Sequence, residues 1–360
     1  MIIGFDARLM SVPGGLGRYC KELLTELAGQ NPDDTFVVLV KKIPTQFAQK
    51  NIRWIETDIH WYGTDEQTKL ASLMNREREV QLWHIPHWNV PIFLRAPFIM
   101  TFHDFIFEEF PTYKKTIVGK ISFKIKWIIW RILLAINLYR ARAVITVSDY
   151  VKEQVLRRDP DIAQKIHVIY NGLTHLPAAT QPSQEIRKPF FLMVGNAYPH
   201  KNHALILDLL ATYPNISPTD WYLITHRDRF SEALQNKIIS GGLQGRIHIM
   251  FDAPDTELSW MYQNCEALVF PSQSEGFGIP PLEAFSFGKP VIAARTSCLP
   301  EILGENAAWF ESSNIHELAA AIERVKNDSD EKQNARKLCA QKYTWREVAL
   351  STYFLYKENV

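Results

Sequence analysis

Residues 267–300 read ALVFPSQSEGFGIPPLEAFSFGKPVIAARTSCLP. The apolar run 267–270 has the composition of a buried strand. A short loop with Gly276 and Gly278 follows it. Pro280-Pro281 then marks a helix start, because proline lacks the N–H that a first helical turn leaves unpaired. A second apolar run, 290–294, begins the next strand. Strand, loop, helix and strand together make one βα unit of a parallel sheet. Glycine amides at a helix N-terminus form a site for phosphate. Glu275 and Glu283 frame the turn with seven residues between them. Carboxylates accept hydrogen bonds from hydroxyls, so a sugar or ribose is a target for either. Taken singly, each has a plainer reading: Glu275 as a solvated loop charge, Glu283 as an acid favouring the helix start.

The same alternation extends in both directions. Strands are expected at 1–7, 35–41, 52–57, 81–86, 97–103, 143–148 and 166–170, with helices at 16–29, 66–78 and 114–140. The pattern breaks at 175–189, HLPAATQPSQEIRKP, which carries three prolines and has linker composition. A second series runs through 190–195, 221–225, 246–251, 267–271 and 290–294, and helices follow at 315–327, 330–341 and 345–358. The expected class is therefore α/β, with two doubly wound Rossmann-like domains facing a central cleft. The domains are expected at 1–175 and 190–342, joined by 176–189, with 343–360 a terminal helix packing back on the first domain.

Composition removes several classes. With 360 residues, 46% apolar and 22% charged, the chain is neither disordered nor fibrous. Forty basic residues oppose thirty-nine acidic ones, which argues against nucleic acid as a partner. Cys20, Cys265, Cys298 and Cys339 are dispersed, so neither a zinc site nor a disulfide framework is expected. No apolar run reaches the ~18 residues of a membrane span. The nearest, 127–139, is interrupted by Arg131 and Asn137. With no signal-peptide pattern at the start, the expected location is cytoplasmic, at the inner face of the cell membrane if it meets one. Residues 114–142 hold eight basic side chains and no acidic one, with Ile121, Phe123, Ile125, Trp127, Ile128 and Trp130 interleaved. Such a helix either packs on the sheet, docks on anionic lipid, or does both with different parts.

Other candidates sit at expected strand ends. Gly14, Gly15 and Gly17 form a strand-to-helix turn, but position 20 is Cys, so a dinucleotide-binding G-x-G-x-x-G is incomplete and a nicotinamide oxidoreductase is disfavoured. His103-Asp104 closes the strand before it. Lys201, in Pro199-His200-Lys201-Asn202, can meet a diphosphate as a point charge.

SEGFGIPPLEAFSFGKPVIA resembles the E-x7-E signature of the retaining glycosyltransferases of family 4, which have the GT-B fold. Ser297–Glu301 is similar to that family's S-x-LPE segment. The resemblance continues through VPGGLGRY at 12–19, TFHDF at 101–105, AVITVSDYV at 143–151, VIYNG at 168–172 and VGNAYPHKN at 194–202. Within the family, VPGG…GRY with TFHD looks most like the mannosyltransferases of bacterial polysaccharide assembly.

The resemblance implies transfer of a hexose, mannose first, from a nucleotide sugar such as GDP-mannose. The acceptor would be a glycan or lipid-linked oligosaccharide. The first domain becomes the acceptor side and the second binds the nucleotide sugar; no metal or other cofactor is implied. His103, Lys201 and Glu275 are the catalytic candidates, with His103 and Glu275 at the donor sugar and Lys201 at the diphosphate. Donor-binding candidates are Gly14, Gly15, Asn196, His200, Arg227, Ser274, Gly276, Phe277, Gly278 and Glu283, the last at the ribose. Asn196 and His200 stand where relatives often carry arginine, which leaves more of the charge to Lys201, or to Arg227 and Arg229. A sugar-nucleotide epimerase and a non-catalytic carbohydrate-binding subunit are the competing readings.

Overall fold

Runs rich in Ile, Val and Phe become strands wherever both of their faces are covered, as parallel sheets require. A computed structural model describes residues 1–12, 14–45, 47–112, 117–216, 220–326 and 328–360, without the side chains of residues 117–120. The chain divides into Met1–Gly172 with Thr344–Val360, and Leu173–Tyr343.

Among the described residues, the first unit has strands β1 (Ile2–Asp6), β2 (Thr35–Val40), β3 (Ile52–Glu56), β4 (Leu82–Ile85), β5 (Phe98–Phe102), β6 (Ala143–Thr146) and β7 (Ile166–Val168). They pair in parallel in the order β3-β2-β1-β4-β5-β6-β7. Each lies inside a run read from the sequence. The connecting helices are α1 (Gly15–Gln30), α2 (Ala71–Arg76), α3 (Ile106–Glu109), α4 (Ile117–Arg140) and α5 (Asp149–Arg158). α1 buries Cys20, Leu23, Leu24 and Leu27 at three- and four-residue spacing. Each such leucine contributes ~1.5–3 kcal/mol relative to exposure. α2 is preceded by a π-helical turn, Glu66–Leu70, and ends at Arg76, short of the expected 78. Ser148 Oγ accepts from Val151 N at 3.2 Å and caps α5.

The second unit has β8 (Phe190–Val194), β9 (Asp220–Thr225), β10 (Ile247–Phe251), β11 (Ala267–Phe270), β12 (Val291–Ala294) and β13 (Ala308–Phe310). Their order is β10-β9-β8-β11-β12-β13, again all parallel. β13 lies outside the expected strands: Ala-Trp-Phe is too short for any period to register. The helices are α6 (Ala204–Thr212), α7 (Arg229–Ser240), α8 (Asp255–Asn264), α9 (Ile279–Ser286), α10 (Leu299–Leu303), α11 (Ile315–Val325) and α12 (Asp330–Gln341). α9 starts at Ile279, before the two prolines, so Glu283 lies beyond its first turn, which holds no acidic residue. The plainer reading of Glu283, as an acid at the helix start, therefore falls. Residues 173–189 go with this unit: Thr180 N donates to Thr256 O at 3.0 Å and Ser259 Oγ to Pro177 O at 2.7 Å.

The last helix, α13 (Trp345–Asn359), joins the first unit, burying Trp345, Val348, Ala349, Leu355 and Tyr356 in the same core as α1. Both sheets reverse strand order once, between β1 and β4 and between β8 and β11. Open α/β sheets bind ligands beyond the carboxyl ends of the strands at such a reversal. Among the described residues, no helix is long and apolar enough to cross a membrane.

Candidate active site

In the second unit the two strands flanking the reversal deliver the charged candidates. β8 runs out into Gly195, and a single turn, Pro199–Lys201, brings Lys201 back over it: a Cβ on Gly195 would lie 3.6 Å from Lys201 Cε. Asn202, in the left-handed region at φ 56°, closes that turn. β11 ends at Phe270 and runs into the loop 271–278. Gln273 N donates to His200 O at 2.7 Å, tying the two loops together. Lys201 Nζ then donates to Glu275 Oε1 at 2.6 Å and sits 5.1 Å from the centre of the Phe270 ring. Lys201 is 9% exposed and Glu275 8%. Taking two charges out of water costs several kcal/mol per ion, so the pair persists only because each partner offsets the other's desolvation.

The loop is fixed from the segment 296–301. Glu275 N donates to Ser297 Oγ at 3.0 Å, and Thr296 Oγ1 donates to Ser272 O at 2.7 Å. Gly278 has φ 89°, and a Cβ there would lie 2.6 Å from Leu299 Cδ2, so any larger residue is strained. Ser274 is buried, Gly276 is half-buried, and the buried Phe277 ring packs edge-on against Tyr343 at 5.5 Å. Glu283, 3% exposed, accepts from Tyr262 Oη at 2.8 Å.

The remaining donor candidates scatter more. Burial pushes the His200 imidazole down to about 4, with Glu275 opposing the shift and Lys201 adding to it. His203 is likewise pushed down to about 4, and both its ring nitrogens are buried with no hydrogen-bond partner. Asn196 Oδ1 accepts from Tyr198 N at 3.4 Å. Arg227, exposed, stacks over Phe251 at 4.0 Å, and Arg229 lies 4.5 Å from the centre of the Phe230 ring.

In the first unit, Gly14 caps α1 at φ 102° and Gly15 is the first residue of that helix; Pro13 of VPGG lies outside the described residues. His103 follows β5. Its Nε2 lies 3.1 Å from Pro86 O, so Nε2 carries the proton and Nδ1 is left as an acceptor. Burial holds this ring neutral, with its pKa down to about 4. Tyr19 meets it edge-on at 4.8 Å. Beneath lies a buried chain in which Thr101 Oγ1 contacts Tyr19 Oη at 3.1 Å and His84 Nε2 at 2.8 Å, while His84 Nδ1 meets Tyr356 Oη of α13 at 2.6 Å. Asp104 Oδ1 accepts from Ile106 N at 3.0 Å and so turns inward to start α3.

Three contributors escape a reading of the sequence. Ser297 lies inside the S-x-LPE segment, whose role in holding Glu275 is visible only in three dimensions. Tyr262 is an ordinary helix residue until Glu283 folds against it. His203 has the signal of a second histidine beside His200. Among the described residues no group of three His, Cys, Asp or Glu side chains could hold a metal ion.

Residues 13–175 match the family described as Glycosyltransferase Family 4, and residues 179–342 match Glycosyl transferases group 1; together they span nearly the whole chain. The O-antigen chain mannosyltransferase RfbU of Salmonella typhimurium is 29% identical over 214 residues, 56% of this chain and 59% of that protein. The chain thus spans about three fifths of that relative's length. The O-antigen chain mannosyltransferase B of Escherichia coli is 26% identical over 296 residues, 78% of this chain and 75% of the relative. Among solved structures, Anabaena Alr3699/HepE in complex with UDP and glucose superposes with a TM-score of 0.72 at 18% identity, covering 99% of this chain and 100% of that one. Two parallel Rossmann-like sheets with those strand orders have the GT-B architecture of such neighbours. The chain belongs to glycosyltransferase family 4.

Proposed function

We propose that this chain is a retaining glycosyltransferase that moves a hexose, mannose in the first instance, from a nucleotide sugar to a glycan or lipid-linked oligosaccharide in cell-surface polysaccharide assembly. The mannosyltransferase names of the relatives favour mannose as the sugar, and GDP-mannose is the donor we propose for it. The complex of the Anabaena protein with UDP and glucose supports a nucleotide sugar as the donor class. The observation that carries the reading is the buried Lys201–Glu275 pair at the ends of β8 and β11.

Transfer builds positive charge on the anomeric carbon and negative charge on the departing diphosphate. Lys201, already desolvated, answers the second; shared between Glu275 and a phosphate oxygen, it keeps a counter-ion throughout the reaction. Removing one preorganised donor of this kind costs ~3–4 kcal/mol of transition-state stabilisation. Pro280 and Pro281 take two N–H groups out of the first turn of α9. The anion site therefore relies on the glycine loop before α9 with the amide of Ile279. Glu275 has a second oxygen for a donor-sugar hydroxyl. Glu283, steadied by Tyr262, serves the ribose. His103 offers Nδ1 to a sugar hydroxyl, as a neutral positioning group. The acceptor attacks on the face the diphosphate leaves, which retains configuration.

α4 then has a role at a membrane surface. One face of α4 buries Trp130, Leu134, Asn137 and Leu138; the opposite face exposes Ile121, Ile125, Ile128, Ile129, Ile132 and Ile136, flanked by Lys124, Lys126 and Arg131. Lys114 and Lys115 lie outside the described residues, as does the side chain of Lys120. Basic residues at an anionic bilayer contribute roughly 1 kcal/mol each. A helix of this kind suits work at the cytoplasmic face of a membrane that carries a lipid-linked acceptor.

The test is incubation with GDP-mannose, with and without a lipid-linked oligosaccharide extract. Nucleoside diphosphate released only with the extract supports transfer. Epimerised donor without acceptor points to an epimerase, and binding with no release points to a carbohydrate-binding subunit; either overturns the proposal.

A further inference from the structure

At the carboxyl ends of β4 and β5, three aromatic side chains gather beside His103. The Tyr62 and Trp88 ring centres are 5.6 Å apart with planes inclined by 31°, and His87 lies 5.8 Å from Tyr62 and 5.2 Å from Trp88. Tyr62 Oη and His87 Nε2 are 3.2 Å apart. His103 bonds to the carbonyl of Pro86, the residue before His87, so the cluster is continuous with that histidine. Tyr62 is 66% exposed, yet its backbone sits at φ 61°, where L side chains are rarely found. An exposed ring in an unfavourable backbone persists only where its surroundings over-determine it.

Those surroundings are built from buried charge. Arg8, 1% exposed, holds Asp6 through Nε and Nη2 at 2.9 and 2.7 Å, and holds Glu66 Oε1 at 2.7 Å. The other oxygen of Glu66 accepts from Tyr62 N at 2.7 Å and from Asn89 Nδ2. One carboxylate oxygen therefore fixes both the backbone under Tyr62 and the residue after Trp88. From the far side, Asn137 of α4 donates to Trp88 O at 3.2 Å and to Val90 O at 3.0 Å, and the Trp88 ring meets Trp130 edge-on at 6.0 Å. These bonds explain why Asn137 interrupts the apolar run of α4.

We propose that Tyr62 and Trp88 form a stacking platform for a hexopyranose ring of the acceptor glycan. A pyranose presents a C–H face suited to an aromatic surface and a hydroxyl rim suited to polar groups. The polar rim of the platform is Tyr62 Oη and His87. The occupant's role as acceptor rests on the glycosyltransferase reading; the carbohydrate site itself does not.

The test is saturation-transfer NMR on the full chain with free manno-, malto- and chitotriose, no donor present. Wild type shows transfer to the C–H protons of at least one trisaccharide. Tyr62→Gly, which suits φ 61°, keeps or raises Tm and weakens that binding about tenfold, the factor expected for losing one stacked ring. Tyr62→Phe retains binding. A Tyr62→Gly variant that binds as well as wild type, or a wild type that binds none of the three, overturns the platform. Nucleotide-sugar binding is read in a separate titration, so failure of the transferase reading is distinguishable.

Discussion

Lys201 and Glu275 are separated by 74 positions and meet at 2.6 Å, and this pairing is where residue chemistry becomes a site. Each is legible in the sequence as a residue type at a strand end; their contact is not, because it depends on which strands flank the reversal of the sheet. Breaking a buried pair by removing one partner strands the other charge, at a cost of about 3 kcal/mol or more. Lys201→Ala and Glu275→Ala should each lower Tm. The double variant should recover much of that loss, while none of the three transfers sugar. Full turnover in any of them would contradict the catalytic roles of both residues. Gly278 makes a sharper steric case. Gly278→Ala forces an unfavourable φ and a 2.6 Å approach to Leu299, so stability should fall by roughly 2 kcal/mol, read by denaturant unfolding, with transfer lost as the loop moves.

Elements are read more easily than contacts. Parallel strands buried on both faces leave continuous apolar runs, so central strands such as β2, β5 and β11 stand out, whereas β13 has three residues and its partner β12 supplies its identity. α4 shows a different limit. Its sequence interleaves apolar and basic residues, which fits either a helix packed on the sheet or one with an unpartnered apolar face; burial of Trp130, Leu134 and Leu138 against exposure of Ile128 and Ile132 settles that one face packs. The membrane role proposed for the other face predicts co-sedimentation with vesicles containing anionic lipid, weakened by salt. Ile128→Glu with Ile132→Glu should abolish it without lowering Tm, since both side chains are half exposed. Equal sedimentation of wild type and variant would remove that role.

At the scale of the whole chain, buried neutral histidines couple folding to pH. Burial pushes His84 and His87 down to about 3, and His103, His200 and His203 down to about 4. An unfolded histidine titrates near 6.5, so between those values the unfolded chain holds more protons and stability rises with pH. The stabilisation is complete above about 6.5 and drains away as pH falls toward 4, at about 1.4 kcal/mol per pH unit for each proton involved. Thermal unfolding should therefore show Tm dropping steeply across that interval; a flat profile would mean these rings are solvated. Everything proposed for the chemistry requires that the glycine loop and Lys201 of the second unit hold a nucleoside diphosphate sugar. The decisive experiment is calorimetric titration of GDP-mannose, with UDP-glucose alongside, into wild type and Lys201→Ala. One binding event per chain is expected for at least one donor, weakened about tenfold or more by the substitution. Absence of heat with both donors, or equal affinity in the two proteins, would refute that requirement.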